Sequence, residues 1–94
     1  DAPSRYGLTS NVKNSIIAQG CVINGDVENC VISKGVYVGE GAKLSNCIVM
    51  QDTKIGCNTN LNYVIIDKDV TIKDGRSLMG YDSYPIYIAK KSVV

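Results

Sequence analysis

The chain reads as all-β, and three observations make it so. Val and Ile dominate its apolar content, eleven of each, and β-branched side chains favour extended backbone over helix. Nine Gly and eight Asn supply residues that accept the left-handed backbone of tight corners. Third, four nine-residue blocks align without gaps: Ser15–Ile23, Cys30–Val38, Cys47–Ile55 and Val64–Ile72, with starts 15, 17 and 17 residues apart. A period in that range marks a repeat architecture rather than a sandwich, which would give no reason for gap-free blocks. A helix is excluded because the six-residue beat does not match a 3.6 period.

Each block has the same grammar. Positions three, seven and nine are small or aliphatic: Ile17, Ile32, Val49 and Ile66; then Cys21, Val36, Thr53 and Val70; then Ile23, Val38, Ile55 and Ile72. The connectors add Ala42 with Leu44 and Thr59 with Leu61. Alternation within a short strand points residues i and i+2 the same way, and a corner then resets the direction. Three such sides close one coil, and coils stack about 4.8 Å apart by parallel pairing. The expectation is a single-stranded parallel β-helix of about four coils, with large aliphatics along its axis. Its six-residue rule resembles that of hexapeptide-repeat proteins, and this resemblance implies a left-handed coil, because parallel crossovers otherwise turn right-handed.

The organisation along the chain follows. Residues 1–11 read as an opening linker, 12–75 as the β-helix, and 76–94 as a capping tail. All three form one domain, and the start at Asp1 without Met reads as a piece of something longer. After Ile72 the pattern lapses at KDGRSLMG, and an extended apolar stretch, Tyr84–Ile88, appears. Because a β-helix ends in raw strand edges, this tail reads as a lid, or else as a strand for a partner.

Composition removes several classes of function. A net charge of +1 gives no basic excess for a nucleic-acid backbone. No apolar run approaches the roughly 18–20 residues of a membrane span, and no charged-then-apolar leader opens the chain. There is no His, so imidazole base chemistry and imidazole metal ligation are outside this chain. The four cysteines, at 21, 30, 47 and 57, form no C-x-x-C; they read as free thiols of a cytoplasmic protein. Cys21, Cys30 and Cys47 fall on inward positions as small fillers. Cys57, at a corner, is the thiol expected to meet solvent. Gly39-Glu40-Gly41 fits a corner better than a phosphate loop, since no helix follows. Asp67, Asp69 and Asp74 read as a solvated edge. No catalytic or metal-binding constellation emerges, and no cofactor is expected in this chain.

One outward column stands out. The second position of each block lies between two inward ones and holds Ile16, Val31, Ile48 and Ile65. The equivalent columns on the other sides are mixed or polar: Val22, Tyr37, Lys54 and Thr71; Glu28, Lys43 and Asn60. A continuous aliphatic stripe nears the limit of apolar patch seen on soluble monomers. It is the candidate docking interface, for a neighbouring domain or another copy.

The phrases between the blocks carry a resemblance of their own. Ser4–Gly7 (SRYG), Val27–Met50, Leu61–Ile72 and Ser83–Ile88 (SYPIYI) resemble the C-terminal β-helix domain of bacterial glucose-1-phosphate adenylyltransferases (ADP-glucose pyrophosphorylases), most of all the D-type regulatory subunits. The resemblance implies a non-catalytic, oligomerising and regulatory domain of a glycogen-biosynthesis protein. Its parent reaction makes ADP-glucose and diphosphate from ATP and glucose 1-phosphate, with magnesium, in an N-terminal catalytic domain absent from these residues. It further implies docking on that domain, assembly with a homologous catalytic subunit into a tetramer, and control by an anionic metabolite. Arg5, Lys90 and Lys91 are the candidate effector contacts, against the plainer reading of Lys90 and Lys91 as a solvated tail. Two alternatives stay open: the β-helix of another sugar nucleotidyltransferase, and a stand-alone scaffold.

Overall fold

A computed structural model describes residues 3–94. Its strands are β1 (Arg5–Tyr6), β2 (Asn11–Lys13), β3 (Ile16–Ile17), β4 (Val22–Ile23), β5 (Asp26–Glu28), β6 (Val31–Ile32), β7 (Tyr37–Val38), β8 (Lys43–Ser45), β9 (Ile48–Val49), β10 (Lys54–Ile55), β11 (Asn60–Asn62), β12 (Val64–Ile66), β13 (Thr71–Ile72), β14 (Ser77–Met79) and β15 (Ile86–Ile88). They form three five-stranded sheets: A (β1-β4-β7-β10-β13), B (β2-β5-β8-β11-β14) and C (β3-β6-β9-β12-β15). Every strand pair is parallel. The chain is therefore an all-β, left-handed parallel β-helix of about four turns, 32 Å in its longest dimension and 23 Å across.

The register stacks like on like. Ile23 lies against Val38, Val38 against Ile55, and Ile55 against Ile72. In sheet B the axis is filled by Val27, Leu44 and Leu61 in adjacent coils. All of these are buried. The core is a single column of aliphatics with no aromatic ring, which is what a prism of three two- or three-residue sides has room for.

The corners are fixed by backbone conformation. The eight non-glycine residues with positive φ among the described residues are Asn14, Asn29, Asn46, Asp52, Asn58, Tyr63, Asp69 and Lys91; the four glycines are Gly20, Gly35, Gly41 and Gly75. Extending the strand registers by two residues or fewer sorts all of them into three columns, one per corner. Asn14, Asn29, Asn46 and Tyr63 turn the chain from sheet B to sheet C. Gly20, Gly35, Asp52, Asp69 and Lys91 turn it from C to A. Gly41, Asn58 and Gly75 turn it from A to B. Asn, Asp and Gly occupy this conformation because the left-handed region costs other residues about 1–2 kcal/mol.

The short first connector is explained at an A-to-B corner. Four residues separate β1 from β2, β7 from β8, β10 from β11 and β13 from β14, but only two separate β4 from β5. The shortcut pulls the backbone against the next coil. A Cβ on Gly25 would lie 2.4 Å from the Ala42 carbonyl oxygen.

The winding runs past both boundaries drawn from the sequence. Before residue 12, β1 pairs with β4, and β2 opens at Asn11. After residue 75, β14 extends sheet B and β15 extends sheet C, while Val93 bridges Thr71. The segment 76–94 covers the preceding coil by adding another coil rather than by lying across its end. Leu78 continues the Leu44 and Leu61 column and Ile88 continues that of Ile66. Two departures hide this in the sequence: Arg76 stands where Ala42 and Thr59 are small, and extra residues separate β14 from β15.

The corner rule is testable at Asn46. Asn46→Ala forces a Cβ-bearing residue without a polar partner into the left-handed region and should lower unfolding free energy by about 1 kcal/mol; Asn46→Gly should recover most of the backbone part of that loss. Chemical denaturation of the three proteins, read as midpoint shifts at constant m-value, checks it.

Candidate functional site: the outward face of sheet C

The β-branched column predicted to face outward does so. Ile16 is 71% exposed, Val31 45% and Ile48 42%, and Ile65 is half-buried. Pairing places them directly over one another: Ile16 against Val31, Val31 against Ile48, Ile48 against Ile65. Tyr87 continues the column, paired with Ile65 and 59% exposed. The sequence reading did not include Tyr87. Its signal was present as the alternation Ile86-Tyr87-Ile88, which matches Val64-Ile65-Ile66 once the extra residues before it are removed.

Polar ladders frame this face. On its sheet B side, the Asn14 side-chain amide donates to the Asn29 side-chain carbonyl, and Asn46 Nδ2 donates to Asn62 Oδ1 at 3.1 Å. Asn14, Ser15, Ile16, Asn29, Cys30 and Val31 line an open groove of about 480 Å³ at the N-terminal end of the column. At the other end the Tyr87 hydroxyl donates to Asp67 Oδ2. This bond, then the Lys68 backbone N–H at 2.7 Å, then the charges of Lys68 and Lys90, hold the Asp67 carboxyl below the usual carboxylate range. The same bond raises the Tyr87 phenol above its ordinary value.

The small inward corner residues do more than fill space. At four places the N–H of the residue just after a left-handed corner falls between ladders and would otherwise lack an acceptor. Side chains one coil earlier accept them: Cys21 N–H bonds Ser4 Oγ (3.2 Å), Cys30 N–H bonds Ser15 Oγ (3.0 Å), Cys47 N–H bonds Cys30 Sγ (3.4 Å) and Val70 N–H bonds Thr53 Oγ1 (3.4 Å). Thr53 Oγ1 in turn donates to the Asp67 carbonyl at 2.9 Å. Cys21, Cys30 and Cys47 are free and buried; Cys57 is half-buried at its corner. Contact with Cys30 and burial together push the Cys47 thiol well up, while the hydrogen bond with Cys47 lowers the Cys30 thiol to about 7. Both side chains are buried in the stack, which closes them to reagents in solution.

The candidate effector cations do not converge. Arg5 lies in β1 in the first coil, whereas Lys90 and Lys91 follow β15 in the last. Four ladder steps of about 4.8 Å separate the two ends. The charge of Lys90 acts instead, weakly, on the Asp67 carboxyl. Gly39-Glu40-Gly41 is a corner, with Gly41 at φ 77°. Among the described residues no three His, Cys, Asp or Glu side chains gather as a metal site. Among the same residues no helix is long and apolar enough to cross a membrane.

Comparison with known proteins fits this geometry. A family model described as GlmU-like, C-terminal hexapeptide, matches residues 3–84. The chain is 48% identical over 90 residues to the glycogen biosynthesis protein GlgD of Bacillus subtilis (strain 168), a match covering 96% of this chain and 26% of that protein. It is 41% identical over 105 positions to the glucose-1-phosphate adenylyltransferase of Acetivibrio thermocellus, covering 98% of this chain and 25% of that one. The corresponding protein of Fervidobacterium nodosum is 44% identical over 73 residues, or 78% of this chain and 18% of its own. The chain thus spans about a quarter of the length of the first two relatives.

Two outcomes follow for the residues around this face. A thiol reagent should titrate one cysteine per native chain, Cys57, and four after denaturation; a fast second equivalent in the native state would contradict the buried stack. Because Asp67 is held below its ordinary value, its bond to Tyr87 stabilises at neutral pH. That contribution disappears as pH falls through the lowered folded-state value. Asp67→Asn and Tyr87→Phe should therefore lower the melting temperature at pH 7, with the difference from wild type vanishing in acid.

Proposed function

This chain belongs to the GlmU-like C-terminal hexapeptide family, and we propose that it is the non-catalytic docking and regulatory β-helix of an ADP-glucose pyrophosphorylase subunit acting in glycogen biosynthesis. One observation carries the reading: an unbroken aliphatic column along one side of a prism whose other sides are mixed or polar. The chemistry of the parent reaction, with its magnesium, belongs in this reading to the N-terminal part of the longer protein. This chain has no His. Its own contribution is a rigid face and a register. The two adenylyltransferase relatives favour this reading over another sugar nucleotidyltransferase.

Size selects the partner. Five strands stacked at about 4.8 Å, on a side about 15 Å wide, present roughly 350 Å². That is below the roughly 800 Å² per partner of a stable interface between free proteins. A domain tethered to the same chain needs less, because the tether sets a local concentration in the millimolar range. The face therefore fits the subunit's own catalytic domain first, with contacts to a homologous subunit in a tetramer built around that pair. An anionic effector would meet Lys90 and Lys91 at one end of the solenoid or Arg5 at the other, since one small molecule does not span both.

In the full-length protein Ile48→Lys should leave the strand content unchanged but expose the segment before β1 to limited proteolysis, at least about tenfold faster than in wild type, as a loss of roughly 1.5–3 kcal/mol of burial implies. It should also lower the assembled mass in solution. Unchanged cleavage and unchanged mass would count against the docking reading.

A further inference from the structure

At the corner between sheets B and C, the last coil carries five residues more than the coil before it. One residue, Tyr63, separates β11 from β12, whereas six, 80–85, separate β14 from β15. The extra residues leave the wall and return to it at one point. Gly80 N–H donates to the Asn62 carbonyl at 2.8 Å, and Ile86 N–H donates to the Tyr63 carbonyl at 3.0 Å. The feet are pinched so closely that a Cβ on Gly80 would lie 2.4 Å from the Tyr63 oxygen and 2.8 Å from the Ile86 nitrogen. Beyond them the chain closes on itself: Tyr81 N–H bonds the Tyr84 carbonyl at 3.2 Å and Tyr84 N–H bonds the Tyr81 carbonyl at 2.9 Å, across Asp82-Ser83. The result is a projecting, internally hydrogen-bonded knuckle.

The Tyr81 and Tyr84 side chains make no hydrogen bond among the described residues, and Tyr87 makes only the one to Asp67. Tyr81 is 74% exposed and Tyr84 82%; Met79 at the foot is 49% exposed and Tyr87 on β15 59%. Ordering such a projection costs conformational entropy that these exposed rings do not offset. Tyrosines held with few free torsions are, however, the side chains that dominate binding energy at protein interfaces. Tyr87 belongs at once to this corner and to the outward column of sheet C, so the two surfaces are continuous.

We propose that Met79, Tyr81, Tyr84 and Tyr87 form the second half of the docking surface, and that its occupant is the remainder of the subunit's own chain, N-terminal to residue 1. This rests on the reading of sheet C as a docking face, and two quantities support the occupant. Beyond the column, which already includes Tyr87, two tyrosines and a methionine at these exposures add roughly 400 Å² of contact, on the scale of about 150–250 Å² per buried aromatic. With the column, that brings the total into the range of interfaces between domains, about 600–1,500 Å². The relatives leave about three-quarters of their length outside this region. A body of roughly 250 residues has a radius of gyration near 18 Å and hence a breadth above 40 Å. It would enter beside β1 and still reach along the full 32 Å to the tyrosines at the far end.

The test is hydroxyl-radical footprinting of the full-length protein, at a concentration where subunits are associated and after dilution to single subunits, with the fully exposed Leu8 as internal reference. Normalised for intrinsic reactivity, Met79, Tyr81 and Tyr84 should be modified roughly fivefold or more slowly than Leu8 at both concentrations, as water exclusion at an interface centre requires. Modification at the rate of Leu8 throughout would overturn the proposal. Protection that disappears on dilution would overturn it too, because the occupant would then be a second subunit. Ile48→Lys in the same protein separates the two readings. If that variant releases the β-helix while the wild-type tyrosines react freely, the docking role of sheet C stands and the tyrosine corner falls. If it releases nothing, the shared surface falls with the docking reading.

Discussion

Everything in this molecule depends on one constraint: wherever the chain turns through a left-handed backbone conformation, it does so at one of three places that superpose from coil to coil. Asn14, Asn29 and Asn46 stack at one edge, Gly20, Gly35, Asp52 and Asp69 at another, and Gly41, Asn58 and Gly75 at the third. Because the turns superpose, the strands superpose. Once strands superpose, an inward side chain in one coil lies against its equivalent in the next. The narrow aliphatic axis, the buried cysteines and the outward column are all consequences of that repetition. Where the repetition is altered, the alteration is local. Deleting two residues between β4 and β5 is absorbed by Gly25, and adding five between β14 and β15 is absorbed by a pinched loop at Gly80.

Repetition also explains why small polar residues recur beside the axis. Most corner residues themselves donate to the coil before. The N–H just after such a corner, however, falls outside the ladder at Cys21, Cys30, Cys47 and Val70, and burying it without a partner would cost about 1–3 kcal/mol. Ser4, Ser15, Cys30 and Thr53 each supply an acceptor for the corner one coil later. Sulfur is a weak acceptor but a compact apolar filler, which is why Cys and Ser alternate with Val at equivalent positions. The functional surface has the same origin. Stacking puts Ile16, Val31, Ile48 and Ile65 in one line, and a line of aliphatics on one side of a narrow prism makes that side different from the other two.

Much of this was legible in the sequence because period and residue type point the same way. The blocks at Ser15, Cys30, Cys47 and Val64 revealed the coil, and their second positions revealed the outward column. What was hidden was hidden by broken period. Arg5 and Tyr6 form a strand with only two residues of pattern to announce it. Arg76 interrupts the small-residue column just before Leu78 resumes the aliphatic one. Tyr87 was separated from its column by the loop at 81–85. The candidate effector residues were harder to place, because charged surface residues such as Arg5 and Lys90 carry no period, and distance along the axis is invisible in spacing alone. Tyr63 and Lys91 in left-handed corners could not be foreseen from residue type, since the flanking ladders rather than their own preference hold them there.

The claim that this prism is a docking element is tested most directly by the exposure of its outward column in the structure of the full-length subunit. Ile16, Val31 and Ile48 are 71%, 45% and 42% exposed here. The account predicts that Val31 and Ile48 become buried against the chain's own N-terminal portion, and that Ile16 loses most of its exposure. All three residues facing water in the full-length subunit would contradict it.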